Sequence, residues 1–136
     1  MQAFPAKWFP PTGVLGRIIH ETSRRVATAR GRRSDLEMRA RAAEVAPDFF
    51  AAVRGDQVKV IAEVKRRSPS RGDINARLDP ASHARDFERG GAAAISVLTE
   101  PTHFAGSGDD LVQVRDAVDL PVLRKDFILD ETQIIE

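Results

Sequence analysis

The sequence predicts an α/β fold built on a parallel sheet, preceded by a helical segment. Two observations carry this. From Gln57 onward, short apolar runs rich in β-branched residues alternate with polar loops and capped helical stretches, the rhythm of βα units. Before Gln57, apolar positions recur at helical spacing instead. The division places a helical extension over residues 1–56 and a strand–helix domain over residues 57–136.

Each element has its own local reason. Thr12 stands where it caps a helix running to about Thr28, with an apolar stripe of Val14, Leu15, Ile18, Ile19 and Val26. Upstream of it, Trp8 between Phe4 and Phe9 reads as a dock for the N-terminal tail. Ser34-Asp35-Leu36-Glu37 has the form of a capping box opening a second helix, which Pro47 ends. Asp48 caps a short third helix from Phe49 to Arg54, stopped by Gly55. The first strand is read over Val58–Lys65, as a buried strand followed by a polar loop to Leu78. Asp79-Pro80 couples a cap to proline at the first helical position; this helix runs to Glu88 or Arg89 and stops at Gly90-Gly91. Ala93–Leu98 is small or apolar throughout, as expected of a strand covered on both faces. A loop from Thr99 to Gly108 leads to a helix over Asp110–Val118, capped by Asp109. Pro121 opens a third strand, Val122–Phe127, and Asp130-Glu131-Thr132 begins another helix.

Three such units make up somewhat under half of a (β/α)8 barrel, which takes about 250 residues. The expected architecture is therefore a partial (β/α)8 TIM barrel, its first three βα units, behind an N-terminal helical extension. Its apolar sheet edge would be open. The chain is thus expected either to be part of a longer protein or to self-associate through that edge.

Composition narrows the function. A net charge of +1 argues against a dedicated nucleic-acid binder. The arginines between Arg24 and Arg41 lack interleaved aromatics and read as a solvated helix face. The absence of cysteine excludes disulfides and thiol chemistry and fits a reducing cytoplasm. No apolar run approaches the roughly 20 residues of a membrane span. His20, His83 and His103 show no metal-ligand spacing, and Gly106-Ser107-Gly108 lacks the Lys-Ser/Thr pair of a P-loop.

Sites in parallel α/β folds form at the C-terminal ends of strands. The first strand delivers Glu63, Lys65 and the loop Ser68–Gly72; the second delivers Thr99, Glu100, His103, Phe104 and Ser107; the third delivers Lys125, Asp126 and Phe127. Side chains alternate along a strand, so Glu63 and Lys65 share one face, and Lys125 shares another with Leu123 and Phe127, read as core residues. Charges at the end of a buried strand are costly unless paired, and chains keep them where chemistry needs them. A lysine there serves as a general acid or as a holder of carboxylate or phosphate. The two lysines, one on each strand, are the main constellation, and Ser-Pro-Ser-Arg-Gly adds donors suited to an anion.

These residues also carry a family likeness. Glu63-Val-Lys65-Arg66-Arg-Ser68-Pro-Ser-Arg-Gly72 resembles the first-strand signature of the indole-3-glycerol phosphate synthase family. Ser96-Val-Leu-Thr-Glu100 with Phe104-Ala-Gly-Ser107 resembles its second strand and loop, and Pro121 through Gln133 its third; Val14-Leu-Gly-Arg-Ile-Ile19 is similar to the start of its N-terminal helix. The resemblance implies a (β/α)8 barrel with an N-terminal helical segment. It implies a lyase of tryptophan biosynthesis that closes 1-(2-carboxyphenylamino)-1-deoxyribulose 5-phosphate to indole-3-glycerol phosphate, with loss of carbon dioxide and water and no cofactor or metal. By position, Lys125 matches the general acid, Lys65 the lysine that holds the substrate carboxylate, and Glu63 the acid that orients both. Ser68 and Arg66 fall among the substrate contacts of the first loop, and Phe104 and Phe127 among the aromatic residues around the anthranilate ring. The expected partner is a phosphorylated small molecule, with neither nucleic acid nor membrane. The family's later strands carry a further glutamate, an asparagine and the main phosphate loops, which this sequence lacks; the 136 residues are accordingly expected to be inactive alone.

Overall fold

A computed structural model describes residues 11–136; the expected docking of Trp8 lies outside the described residues. In chain order the elements are helices α1 (Gly13–Arg30), α2 (Arg33–Ala42) and α3 (Phe49–Val53), strands β1 (Ile61–Val64), β2 (Arg67–Ser68) and β3 (Gly72–Asp73), helix α4 (Pro80–Arg89), strand β4 (Ala94–Leu98), helices α5 (Pro101–Phe104) and α6 (Gly108–Ala117), strand β5 (Val122–Lys125) and helix α7 (Thr132–Ile135). They form two compact units. One is Glu44–Asp126; the other joins the described residues up to Ala43 to Phe127–Glu136.

The Glu44–Asp126 unit is built on a three-stranded parallel sheet in the order β1-β4-β5. Its helices α4 and α6 cover one face, and the core lies between them. Val64, Ile95 and Val97 from the sheet are buried there with Ala84 of α4, Val114 of α6 and Leu78; Phe87, Leu111 and Val122 pack around them. All five residues of β4 are buried, as its small and apolar side chains predict. The α/β class and the parallel βα pattern are therefore as the sequence indicates.

Boundaries and faces differ. The first strand begins at Ile61, not Val58, and Val58, Val60 and Ile61 are exposed rather than buried. The reason is its place in the sheet. Among the described residues β1 pairs on one side only, with β4, and that ladder ends where Ala93 N–H donates to the Val60 carbonyl (2.8 Å). On β5 the register puts Leu123 beside Ser96 and Lys125 beside Leu98. Lys125 therefore lies on the sheet face opposite the helices, away from the core, which takes Val122 instead; Leu123 and Lys125 are both exposed. In a closed barrel this second face lines the interior.

Several caps follow the local chemistry. Asp48 accepts from Ala51 N–H (3.0 Å) and Asp79 from Ala81 N–H (3.2 Å). Gly91 takes a positive φ of 86° just past α4, where a side chain would be strained. The cap of α6 is Ser107, not Asp109: its Oγ accepts from Asp110 N–H (3.1 Å), and Asp109 sits in the first turn. Serine at this position leaves both acids inside the turn, where they oppose the positive end of the helix dipole.

The other unit packs α7 against α1 and α2. Ile18, Thr22 and Val26 are the buried stripe of α1, while Val14 and Leu15 are exposed. Thr12 occupies the N-cap position without a side-chain cap bond. No capping box forms at Ser34, because α2 already starts at Arg33 and Glu37 bonds the Arg33 guanidinium (2.8 Å) one turn back. Asp130 accepts from Thr132 N–H (3.0 Å) at the start of α7 and pairs with Arg30 of α1. Buried Gln133 closes the preceding loop, accepting from Leu129 N–H (2.7 Å) and donating to the Phe127 carbonyl (3.1 Å). Among the described residues no helix is long and apolar enough to cross a membrane.

Candidate active site at the strand ends

Glu63 lies on β1, paired with Ser96 of β4, on the sheet face opposite α4 and α6. One carboxylate oxygen accepts from Lys65 and the other from Lys125 Nζ (2.6 Å). The sheet order means that Glu63 and Lys125 meet across β4. The small side chain of Ser96, which lies between Glu63 and Leu123 in register, leaves room for this. The three expected ionic residues are thus gathered into one cluster from two strands. Burial opposes ionisation of Glu63, whose side chain is 28% exposed, but hydrogen bonds from Lys125 and Lys65 and their charges outweigh it. Its carboxyl is held below the usual carboxylate range. Two ammonium groups share one carboxylate, so the cluster keeps a surplus positive charge. Lys125, 53% exposed, presents that charge outward.

Ser68 lies in β2, part of a short antiparallel hairpin with β3 that the alternation pattern does not reveal. Its Oγ accepts from Arg71 N–H (3.2 Å), which curls the Ser-Pro-Ser-Arg segment back on itself. Arg66, expected among the substrate contacts, turns into the protein instead. Its guanidinium forks onto Asp110, with Nη2 donating to Oδ1 (3.0 Å) and Nη1 to Oδ2, and also donates to the carbonyls of Leu78 (3.2 Å) and Ala105 (3.5 Å). Asp110 is buried, and this planar bidentate match is what compensates its desolvation. Arg66 therefore ties the first loop to α6 and to the second loop.

The second loop contains the single turn α5, packed against β2. Phe104 ends this turn, half-buried, followed by Ala105 in the left-handed conformation (φ 54°). At the third strand, the side chain of Asp126 is fully buried; it accepts from Thr99 Oγ1 (2.9 Å) and pairs with Arg124 (3.5 Å). Thr99 N–H in turn donates to the Lys125 carbonyl (3.0 Å). These bonds fix the ends of β4 and β5 together, with Lys125 between two anchored neighbours. Phe127 falls in the other unit, half-buried there. Among the described residues no group of acids and histidines has the arrangement of a metal site.

Some contributors escaped the sequence reading. The partnership of Arg66 with Asp110 spans 44 positions and leaves no local trace. Glu100 was readable as a cap, since Glu-Pro sets an acceptor directly before proline at the first helical position.

Parallel strands that neighbour one another in chain order, each handing polar side chains to its C-terminal end, make this an α/β protein whose three strands match part of a (β/α)8 barrel. The family model for indole-3-glycerol phosphate synthase matches residues 15–136. Indole-3-glycerol phosphate synthase 1 of Streptomyces coelicolor is 53% identical over 125 residues, covering 90% of this chain and 46% of its own. The Arthrobacter sp. synthase is 54% identical over 108 residues (76% and 40%), and that of Leifsonia xyli 60% over 90 residues (66% and 35%). The chain belongs to the indole-3-glycerol phosphate synthase family, and it spans about half the length of the curated relatives it matches.

Proposed function

We propose that this chain supplies one wall of an indole-3-glycerol phosphate synthase site, acting in tryptophan biosynthesis on 1-(2-carboxyphenylamino)-1-deoxyribulose 5-phosphate. The observation that carries the reading is the Glu63 carboxylate joined to Lys65 and Lys125 from two strands. In the reaction, the ring carbon bearing the carboxylate attacks the ribulose carbonyl carbon. Lys125 donates a proton to the carbonyl oxygen as the new carbon–carbon bond forms, where a positioned ammonium offsets the developing charge. The carboxylate, held until then beside Lys65, leaves as carbon dioxide and returns its electron pair to the ring. The hydroxyl formed by the first step then takes up a proton and leaves as water, assisted by the ring nitrogen's lone pair, and the adjacent CH2 gives up a proton to a base, so that one proton is consumed and one released as the indole forms. Glu63 keeps the two ammonium groups apart and aimed. Ser68 offers a hydroxyl to the substrate, and Phe104 flanks the aromatic ring. Arg66 acts indirectly, by holding the loop that follows Lys65.

The test is made on the native protein, whose intact mass shows how much chain accompanies these residues. Lys125→Ala is expected to lower kcat by at least about 100-fold, the scale of a lost general acid, with KM changed little. A rise in KM with kcat unchanged would overturn the proton-donor role. The 136 residues by themselves are expected to give no turnover, and full turnover by them would show that this wall suffices.

A second reading concerns partners and is compatible with the first. Exposed Val58, Val60 and Ile61 beside the edge of β1 that is unpaired among the described residues favour self-association through that edge.

A further inference from the structure

Glu100 follows β4 directly and has no solvent exposure at all. Its carboxylate faces the backbone of α5. Oε1 accepts from Thr102 N–H (3.1 Å), and Oε2 accepts from His103 N–H (2.6 Å) and Phe104 N–H (3.1 Å). Its own carbonyl accepts from Gly106 N–H (3.0 Å), closing residues 100–106 into a ring. Two further features make this ring rigid. Ala105 takes the left-handed conformation, which costs a residue with a Cβ and persists only when its surroundings impose it. Gly106 passes so near β4 that a Cβ there would lie 2.0 Å from the Leu98 carbonyl oxygen.

An exposed single turn is adequately capped by serine or aspartate, and burying an acid is costly unless hydrogen bonds compensate it. Glutamate has the reach to take all three amides from inside. We propose that Glu100 is a positioning residue: its clamp on the α5 amides fixes Phe104 and the Ala105–Gly106 reversal at the end of β4 before substrate arrives, presetting the surface against which the substrate's aromatic ring lies. This rests on Phe104 as a ring contact, as read above. A preset loop spares binding the cost of ordering it.

Glu100→Gln keeps the size but turns one acceptor into a donor that opposes an N–H. By NMR, exchange of the Thr102, His103 and Phe104 amides is expected to quicken by about tenfold or more in this variant, with the β4 amides of Ile95 and Val97 unchanged. Glu100→Asp, one methylene shorter, retains a carboxylate and is expected to fall between; it also serves if the glutamine variant fails to fold. In the native protein, Glu100→Gln is expected to raise KM by about tenfold, as a misplaced contact does, while the pH profile of kcat stays in place. Because the effect passes through Phe104, the pair Glu100→Gln/Phe104→Ala is expected to be no worse than Phe104→Ala alone. Unchanged exchange at the three amides would overturn the clamp. Faster exchange with an unmoved KM, or with strictly additive losses, would overturn the positioning role. Should the native protein make no indole-3-glycerol phosphate, the reaction assigned above fails, while amide exchange still decides the clamp.

Discussion

Arg66 shows how one side chain's partners decide its role. Every donor direction described for it ends on a protein acceptor, and its partner Asp110 is buried. Removing one member of such a pair leaves the other desolvated and alone, which costs about 3 kcal/mol or more. Asp110→Asn is therefore expected to lower the unfolding free energy of the 136-residue chain by about that much in urea titration. A loss below about 1 kcal/mol, the range of an exposed pair, would show the fork to be incidental. Glu63, Lys65 and Lys125 were legible in the sequence because two local rules suffice: side chains alternate along strands, and sites gather at strand ends. The fork from Arg66 was not legible, because nothing near it in the chain announces Asp110.

At the scale of elements, the short-range rules held where the partner lies within one turn. Asp48 and Asp79 cap the helices they precede, and Asp130-Glu131-Thr132 does open α7. They failed where a neighbouring element competes. Glu37 answers Arg33 rather than Ser34, and α2 begins earlier than its apparent capping box. The hairpin of β2 and β3 and the single turn α5 are too short for a periodic pattern to register. Asp130 joins two elements and makes their contact sensitive to pH. Hydrogen bonds from Arg30 and Thr132 hold its carboxyl well below the usual carboxylate range. A depressed folded-state pKa contributes stability above the unfolded value, near 3.8, which is lost as pH falls through the folded value. Stability measured by urea midpoint is expected to fall between pH 5 and pH 2, and Asp130→Asn to flatten part of that fall. An equally steep decline in the variant would show that other carboxylates carry it.

For the whole molecule, the alternation of strands and helices gave the parallel sheet and the chain order of its strands. It did not give the faces. Val58, Val60, Ile61 and Leu123 look like core from their side chains, yet they are exposed. Apolar character says that a residue is suited to burial, whereas the number of neighbouring layers decides whether burial occurs. Among the described residues β1 pairs on one side only, and Leu123 lies on the sheet face opposite α4 and α6. These surfaces give the proposed self-association a direct check. Sedimentation velocity of the 136-residue chain is expected to show a species that grows with concentration, and Ile61→Lys on the edge to return it to monomer. A monomer at every concentration would remove that reading.

The tie from Glu63 to Lys125 has a further meaning. Its two ends sit 62 positions apart on strands that are not neighbours, with β4 laid between them. The bond thus belongs to no single segment: its geometry is set by the sheet as a whole, because β4 pairs with the strands that carry both ends. The groups proposed for chemistry therefore report on the integrity of all three strands together.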